Sequence, residues 1–150
     1  MKSGEKMKIL ILNGPNLNMT GIRKKDVYGA ETLEDINAYL REYGESVGCD
    51  MFFYQSNHEG DLIDIIHRSR EKYDGVVINA GAYTHYSYAI RDAIECVNTE
   101  TPFVEVHMSD IHKREDFRHI SVITDVCVKQ ISGYGKDSYK MGIDLLREIL

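Results

Sequence analysis

The 150-residue sequence predicts a three-layer α/β fold, in which one parallel sheet is covered by helices on both faces. Short apolar runs rich in β-branched residues alternate with longer segments whose apolar residues recur at helical spacing. This alternation is typical of parallel sheets, because each step to the next parallel strand needs a crossover, which is usually a helix. The predicted order is βαβαβαβ, then a polar connection, a fifth strand and a final helix.

Nearly continuous apolar runs suit strands that are buried on both faces of a sheet. The five predicted strands are residues 8–12, 51–54, 75–78, 102–106 and 121–126. Five parallel strands in a chain of this length favour the flavodoxin-like strand order 2-1-3-4-5.

Four helices are predicted from the spacing of apolar residues. The first begins at Thr32, because a threonine followed by acidic residues in the next turn is a typical helix start, and Gly48 marks its end. The other three are predicted over residues 61–72, 87–97 and 137–150. The charged segment 109–119 fits either a loop or a short helical turn.

Length and composition fit one globular domain over residues 1–150, with residues 1–6 as a solvated extension. A net charge of −6 argues against a general nucleic-acid-binding protein, which usually carries a basic excess. No apolar run approaches the roughly 20 residues of a membrane span, and the N-terminus lacks the apolar stretch of a signal peptide. We therefore expect a cytoplasmic protein without nucleic-acid or membrane partners.

The three cysteines, Cys49, Cys96 and Cys127, are far apart in the sequence. Their spacing argues against a disulfide framework and against a zinc site, so no metal is expected. Cys96 and Cys127 stand beside apolar residues and are predicted to be small core residues.

In a sheet of this order, ligands bind beyond the carboxyl ends of the strands, where the strand order reverses between strands 1 and 3. Asn13 follows strand 1, residues 79–85 follow strand 3, and Glu105 and His107 mark the end of strand 4. Because side chains alternate along a strand, Glu105 and His107 point to the same face. A carboxylate beside an imidazole favours the protonated ring, which suits a general acid, although a purely structural pair has the same pattern.

The connection over residues 14–31 is longer than the ~2–6 residues usual between a strand and a helix. Its glycines, its cations and Tyr28 fit an active-site lid and, equally, an ordinary surface loop. Arg114 and Arg118 are four residues apart, so one helical turn would align them toward an anion, toward hydroxyl groups or toward solvent. Asp92 lies off the apolar stripe of the third helix and faces either solvent or a neighbouring subunit.

These segments together resemble one family, the type II 3-dehydroquinate dehydratases, or 3-dehydroquinases. The motifs occur in the family's order, and the resemblance covers residues 7–150. Several separated motifs that agree are far more specific than any one of them. They are ILNGPNLN (residues 11–18), Arg23, Tyr28-Gly29, NAGAYTH (residues 79–85) with Ser87 and Asp92, EVHMSD (residues 105–110) and REDFRH (residues 114–119).

The resemblance implies an enzyme that converts 3-dehydroquinate to 3-dehydroshikimate and water, without a cofactor, in the shikimate pathway of aromatic amino acid biosynthesis or in quinate breakdown. Tyr28 matches the family's base, and Arg23 matches the arginine whose charge makes that tyrosine more acidic. Asn13 resembles the asparagine that holds a water at the enolate oxygen. His107 matches the acid that protonates the departing hydroxyl in an anti elimination, and Glu105 the residue that orients it.

Contacts with the substrate ring are implied in the same way. Asn79, His85 and Arg118 resemble residues that bind ring hydroxyls. Met108 and Ser109 resemble a cradle for the carboxylate.

Two further matches concern the lid and the assembly. Arg114 matches a lid arginine, and Asp92 matches an aspartate that reaches the site across a subunit boundary. The family forms trimers that pack into dodecamers, so the resemblance implies a homo-oligomer. Three positions differ from residues common in the family: Asp110, Tyr86 and Ser138.

Three other functions fit parts of the pattern. A flavin- or nucleotide-binding domain would share the fold, but the first loop, NGPNLN, lacks a phosphate-cradling motif. A receiver-like module would need clustered acidic residues after strand 1, where Asn13 stands. A Schiff-base dehydroquinase would use a lysine in a larger barrel, and no lysine stands at the end of a predicted strand.

Overall fold

The computed structural model describes residues 4–22 and 30–150. Within them, five parallel strands form one sheet in the order β2-β1-β3-β4-β5, which confirms the predicted topology. The strands are β1 Met7–Asn13, β2 Cys49–Gln55, β3 Gly75–Asn79, β4 Phe103–His107 and β5 Gln130–Ser132. The helices are α1 Leu33–Ser46, α2 Glu59–Lys72, α3 Tyr88–Val97 and α4 Asp137–Ile149.

Two apolar clusters lie on opposite faces of the sheet, and each is closed by two helices. One cluster joins alternate residues of β1, such as Ile9 and Ile11, to residues of α1 and α4. The other joins the residues between them, such as Leu10 and Leu12, to α2 and α3. This division follows from the alternation of side chains along a strand, and it explains why the strand runs are apolar throughout.

Two helix starts have side-chain caps, and the one at Thr32 confirms the helix start that the sequence predicts. At α1, the Thr32 hydroxyl accepts a hydrogen bond from the Asp35 backbone N–H, and the Asp35 carboxylate accepts one from the Thr32 N–H, each at 3.1 Å. At α3, the Ser87 hydroxyl oxygen accepts from the Ile90 N–H at 3.0 Å. Each cap satisfies backbone donors that have no partner inside the helix, and so fixes where the chain leaves the sheet edge.

The predicted fifth strand over residues 121–126 is wrong. Residues Thr124–Val126 form a 3₁₀ turn, and the edge strand is the later, shorter β5. Ile123 and Val126 are nevertheless buried in the cluster beneath α3. An apolar run indicates that its side chains are buried, but it does not distinguish a strand from a packed turn. The apolar composition of residues 121–126 therefore led to the wrong prediction of a strand.

The structure also tests the predictions for the charged segment 109–119 and for the cysteines. The charged segment 109–119 contains two 3₁₀ turns, Ile111–Lys113 and Asp116–Arg118, so the short-turn alternative is the one adopted. Cys96 is exposed on α3 and Cys127 is half-buried, whereas Cys49 is buried, so the prediction that Cys96 is a core residue is wrong. Among the described residues, no helix combines the length and apolarity needed to cross a membrane.

Candidate active site

A cleft of about 150 Å³ lies beyond the carboxyl ends of β1, β3 and β4. This is the sheet edge at which the sequence places the site. Seven of the predicted site residues line it: Asn79, His85, His107, Met108, Ser109, Arg114 and Arg118. The structure therefore brings together residues from two parts of the chain, the end of β3 with the loop after it and the end of β4 with the connection after it, while their roles remain predictions.

Glycines let the loops after β1 and β3 approach each other at the floor of this cleft. The Gly14 N–H donates to the Asn79 carbonyl at 2.8 Å, and a Cβ at position 14 would lie 2.6 Å from the Ala80 carbonyl oxygen. Gly81 has φ of +60°, and a Cβ there would lie 3.0 Å from the Pro15 carbonyl oxygen. Larger side chains at these two positions would push the loops apart and open the site.

His107 and Glu105 form a buried pair at the end of β4. The His107 Nε2–H donates to Glu105 Oε2 at 2.6 Å, and the two residues are 6% and 0% exposed. Burial alone would raise the pKa of the Glu105 carboxyl. The hydrogen bond and charge of His107, with hydroxyls of Thr124 and Ser121, outweigh burial and hold that pKa below its usual value. A carboxylate held ionised in this position stabilises a positively charged imidazole, as a general acid requires.

Two residues that the sequence analysis missed complete the Glu105 environment. The Thr124 hydroxyl donates to Glu105 Oε1 at 2.5 Å, and Gln130 Nε2 donates to Glu105 Oε2 at 3.2 Å. Gln130 pairs in register with Glu105 across β4 and β5, so its position would have followed from a correct fifth strand. Thr124 lies in the turn that was predicted as strand, and no signal in the sequence points it toward Glu105.

Thr124→Val is expected to lower the free energy of unfolding by about 1–3 kcal/mol. Valine has nearly the shape of threonine but leaves a buried carboxylate oxygen without its hydroxyl donor. Urea unfolding at neutral pH measures the change. Thr99→Val, at an exposed position after α3, is the matched control, and an equal loss in both variants would contradict the assigned role.

Asn13 and Asn79 end β1 and β3 and are register partners, so their side chains point to the same face of the sheet. Both are nearly fully buried. Between them lies Tyr139 of α4, whose hydroxyl donates to Asn13 Oδ1 at 2.6 Å and accepts from Asn79 Nδ2 at 2.9 Å. Asn79 lines the cleft and Asn13 lies behind its wall. Tyr139 was placed in the predicted final helix, with no part in the site.

His85 presents a neutral imidazole to the cleft. Its Nδ1 lies 2.7 Å from the Ile120 carbonyl, so Nδ1 carries the hydrogen and Nε2 is left as an acceptor. Burial lowers the pKa of His85, and the nearby positive charge of Arg118 lowers it further, while the bond to Ile120 opposes the shift. A neutral imidazole whose free nitrogen accepts suits a substrate hydroxyl better than an anion.

Arg114 and Arg118 give the cleft its positive charge. Arg118 Nε donates to the exposed Glu115 carboxylate at 3.0 Å, and its guanidinium lies 4.6 Å from the centre of the Phe117 ring. Arg114 Nη1 lies 3.4 Å from the Ser109 hydroxyl. No carboxylate lines the cleft among the described residues, because Glu105 lies behind His107. The cleft is therefore suited to an anionic ligand that also carries hydroxyl groups.

Two predicted residues, Asn13 and Glu105, lie behind the cleft lining, and three more are not placed at the cleft. Asp92 is exposed on α3 and does not line it, so its predicted reach into a neighbouring subunit stays a prediction. Arg23 and Tyr28 lie outside the described residues. The two described ends of that gap are close together, since a Cβ at Gly21 would lie 2.7 Å from the Glu31 carbonyl oxygen. Thr20, just before the gap, lines the cleft.

Comparison with known proteins gives a consistent match. The family model for class II dehydroquinases matches residues 7–147. The chain is 53% identical to a 3-dehydroquinate dehydratase of Caldicellulosiruptor bescii, over 95% of this chain and 98% of that protein. It is also 53% identical to a protein of the same name from Bacillus licheniformis, over 90% and 92%.

Solved structures show the same likeness. A type II dehydroquinase from Butyrivibrio crossotus superposes with a TM-score of 0.92 at 51% identity, covering 95% of this chain and 98% of that one. A type II dehydroquinase from Propionibacterium acnes superposes with a TM-score of 0.91 at 38% identity, covering 97% and 99%. Sequence and fold thus agree over nearly the whole length.

Proposed function

The chain belongs to the class II dehydroquinase family, and from this premise we propose that it is a lyase that removes water from 3-dehydroquinate to give 3-dehydroshikimate. The observation that carries the proposal is the buried Glu105–His107 pair, which borders a cleft lined by two arginines. The substrate has a carboxylate, a ketone and several hydroxyls, which match the charge and the acceptors of this cleft. Family membership also decides against the flavin-binding alternative.

The proposed reaction begins with removal of a proton from the carbon beside the ketone. Tyr28, as tyrosinate, is the proposed base, and Arg23 is proposed to favour that ionised form. The electron pair of the broken C–H bond moves onto the ketone oxygen and gives an enolate. Asn13 is proposed to hold a water that donates to this oxygen. These assignments follow from the family motifs.

The enolate then re-forms the ketone and expels the hydroxyl group, which takes a proton from His107 and leaves as water. Base and acid act on opposite faces of the ring in this anti elimination. The position of Glu105 supports the role of His107, because a buried carboxylate 2.6 Å from Nε2 stabilises the imidazolium that must be present before proton transfer.

Substrate binding is proposed to use the cleft residues in two groups. Asn79, His85 and Arg118 are assigned to the ring hydroxyls, and the acceptor nitrogen left on His85 supports this. The Met108 backbone and Ser109 are assigned to the carboxylate. Their position is fixed by the chain after β5, where the Gly135 N–H donates to the Met108 carbonyl at 2.9 Å.

Arg114 is proposed to cover the bound substrate as a lid arginine. It lies in the cleft lining beside Ser109, where its charge would face the substrate carboxylate. The His119 ring bonds to the Arg114 carbonyl at 2.8 Å and holds the backbone of this segment in place.

The deciding experiment follows product formation directly. The purified protein is mixed with 3-dehydroquinate, and the ultraviolet absorbance of the conjugated enone is recorded. Absorbance should rise, and a chelator should not change the rate, because the proposed mechanism uses neither metal nor cofactor. Absence of the rise across a range of pH would overturn the function. Trapping of a covalent adduct by borohydride would replace the mechanism with Schiff-base chemistry.

We also propose that the chain assembles as trimers within a dodecamer and that Asp92 completes a neighbour's site. Asp92 is exposed on α3, next to the strongly exposed Tyr88, so both are available for subunit contact. Analytical ultracentrifugation should give the mass of twelve chains of 17.2 kDa each. A fully active monomer would contradict both proposals. A cytoplasmic location is proposed as well, supported by three free thiols.

A further inference from the structure

The loop after β1 forms part of the cleft wall and contains an unusual backbone conformation. Pro15, Asn16 and Leu17 all line the cleft. Asn16 has φ of 68° and ψ of −4°, and among the described residues it is the one non-glycine with a positive φ. This left-handed conformation costs free energy, although less for asparagine than for most residues, so the turn depends on support from its surroundings.

The side chain of Asn16 gives the turn no such support. Asn16 precedes the 3₁₀ turn Leu17–Met19, but its side chain makes no capping hydrogen bond. Within residues 4–22 and 30–150, its hydrogen bonds are made by its backbone alone. Asn16 is exposed at the cleft, so the contacts of its backbone decide where this part of the wall lies.

Two amide side chains at the end of β2 hold this loop. Asn57 Oδ1 accepts from the Asn16 backbone N–H at 2.9 Å. Gln55 Nε2 donates to the Gly14 carbonyl and to Asn57 Oδ1, each at 3.1 Å. Neither Gln55 nor Asn57 lines the cleft. They therefore support, from the neighbouring strand, a loop that forms its wall.

Backbone groups fix the orientation of both amides. The Asn16 N–H can only donate, so Asn57 turns its oxygen toward it. The Gly14 carbonyl can only accept, so Gln55 turns its amino group toward it. The same amino group then faces the Asn57 oxygen, as donor to acceptor. Asn57 thus acts as an acceptor and Gln55 as a donor.

Asn57 also contacts the loop after β3. The Tyr83 hydroxyl donates to the Asn57 carbonyl at 3.3 Å. Tyr83 belongs to the 3₁₀ turn Gly81–His85, and both ends of this turn line the cleft. One residue outside the cleft therefore bonds to both of the loops that meet at its floor.

We propose that Asn57 is a positioning residue for the dehydration, and that its side-chain oxygen keeps Asn16 in the left-handed turn that shapes the cleft wall. Gln55 holds the Asn57 amide in its accepting orientation. This inference rests on the proposed function and gives a role to the end of β2, which adds no residue to the described cleft lining. Asn57 is exposed, so its replacement leaves both apolar clusters intact.

Asn57→Ala removes the acceptor and leaves the Asn16 N–H without its partner on β2. We expect kcat/KM to fall at least fivefold, because this constant reports the loss of transition-state stabilisation relative to free enzyme and substrate. Asn98→Ala is the matched control. The Asn98 amide also bonds to a backbone group, the Val126 carbonyl at 3.1 Å, and does not line the cleft. Its kcat/KM should stay within twofold of wild type. A smaller loss in Asn57→Ala, or an equal loss in both variants, would overturn the inference.

Two changes from amide to acid test the direction of the bonds, because each adds one negative charge at nearly the same place. Asn57→Asp keeps an acceptor toward Asn16 and Gln55, so kcat/KM should fall less than threefold. Gln55→Glu replaces the donor with an acceptor, which would face the Gly14 carbonyl and the Asn57 oxygen, so kcat/KM should fall at least fivefold. A larger loss in Asn57→Asp, or a smaller one in Gln55→Glu, would contradict the assigned directions and overturn the inference.

Circular dichroism and urea unfolding check that each variant keeps its fold. If Gln55→Glu does not fold, the comparison of Asn57→Ala with Asn57→Asp at the exposed position still decides. Turnover of the wild-type protein is measured first, because its absence would overturn the function itself. An active wild type with unaffected kcat/KM in Asn57→Ala overturns only the role of Asn57.

Discussion

Tyr28→Phe is expected to lower kcat by about 10²–10⁴-fold, the usual effect of losing a general base. Phenylalanine keeps the ring and removes the only atom that takes the proton. An ordinary tyrosine has a pKa near 10, so few molecules would carry tyrosinate at neutral pH without help. The cation assigned to that task is Arg23. The rate is measured with saturating 3-dehydroquinate, and circular dichroism checks that the fold is retained.

Arg23→Ala tests the second half of this assignment through its pH profile. Without the guanidinium, tyrosinate forms only at higher pH, so activity should be severely reduced at pH 7 and should rise as pH increases toward about 10. Arg23→Lys, which keeps a positive charge, should retain part of the activity at neutral pH. Near-normal turnover in Tyr28→Phe would show that Tyr28 is not the base. A loss of activity in Arg23→Ala that does not change with pH would show that Arg23 does not act by favouring the ionised form of Tyr28.

The fold could be predicted from the sequence wherever an apolar pattern indicated both that the residues are buried and that they have the spacing of a strand or a helix. β1 and β3 are buried on both faces, and their continuous apolar runs leave few alternatives. Residues 121–126 show the limit, because the packing of Ile123 and Val126 beneath α3 gives the same composition as a strand. The real edge strand has only three residues, of which Ile131 alone is buried, and so carries almost no pattern.

The site followed from the sequence where its residues stand at strand ends. Asn79 and His107 are the last residues of β3 and β4, so the topology alone brings them to one cleft. Tyr139 and Thr124 were not predicted, and they form hydrogen bonds to site residues from other parts of the chain. Their hydrogen bonds depend on how α4 and a surface turn pack against the sheet, and local sequence does not encode that packing. The role proposed for Asp92 requires a neighbouring subunit, so a single chain does not test it.

His107→Asn is expected to lower kcat by about 10²–10⁴-fold, because the departing hydroxyl would leave without a proton donor. The variant also disturbs Glu105, whose carboxylate stays buried after losing its closest partner. Breaking a buried pair of this kind costs about 3–5 kcal/mol of folding stability. Activity and urea unfolding must therefore be measured together, and a stable variant with normal kcat would remove His107 as the acid.

Glu105→Gln separates the charge of this pair from its geometry. Glutamine keeps an oxygen that accepts the imidazole N–H but lacks the negative charge that favours the imidazolium. The variant should lose kcat while KM stays near wild type, because the ring remains in place but the buried negative charge beside it is removed. A wild-type kcat would mean that Glu105 only orients His107.

The same variant tests whether Glu105 is ionised in the folded protein, through the pH dependence of stability. His107 and the Thr124 and Ser121 hydroxyls overcome burial, so the pKa of Glu105 is lower in the folded chain than in the unfolded chain. Its carboxylate therefore stabilises the fold above the unfolded value of about 4.3, and this contribution is lost as pH falls through the folded pKa. Urea unfolding of wild type below about pH 4.3 should lose more stability than that of Glu105→Gln, relative to pH 7. Equal losses would mean that the pKa of Glu105 is the same in the folded and unfolded chains. A smaller loss in wild type would mean that the folded chain raises this pKa and keeps the carboxyl protonated, without the charge proposed to support His107.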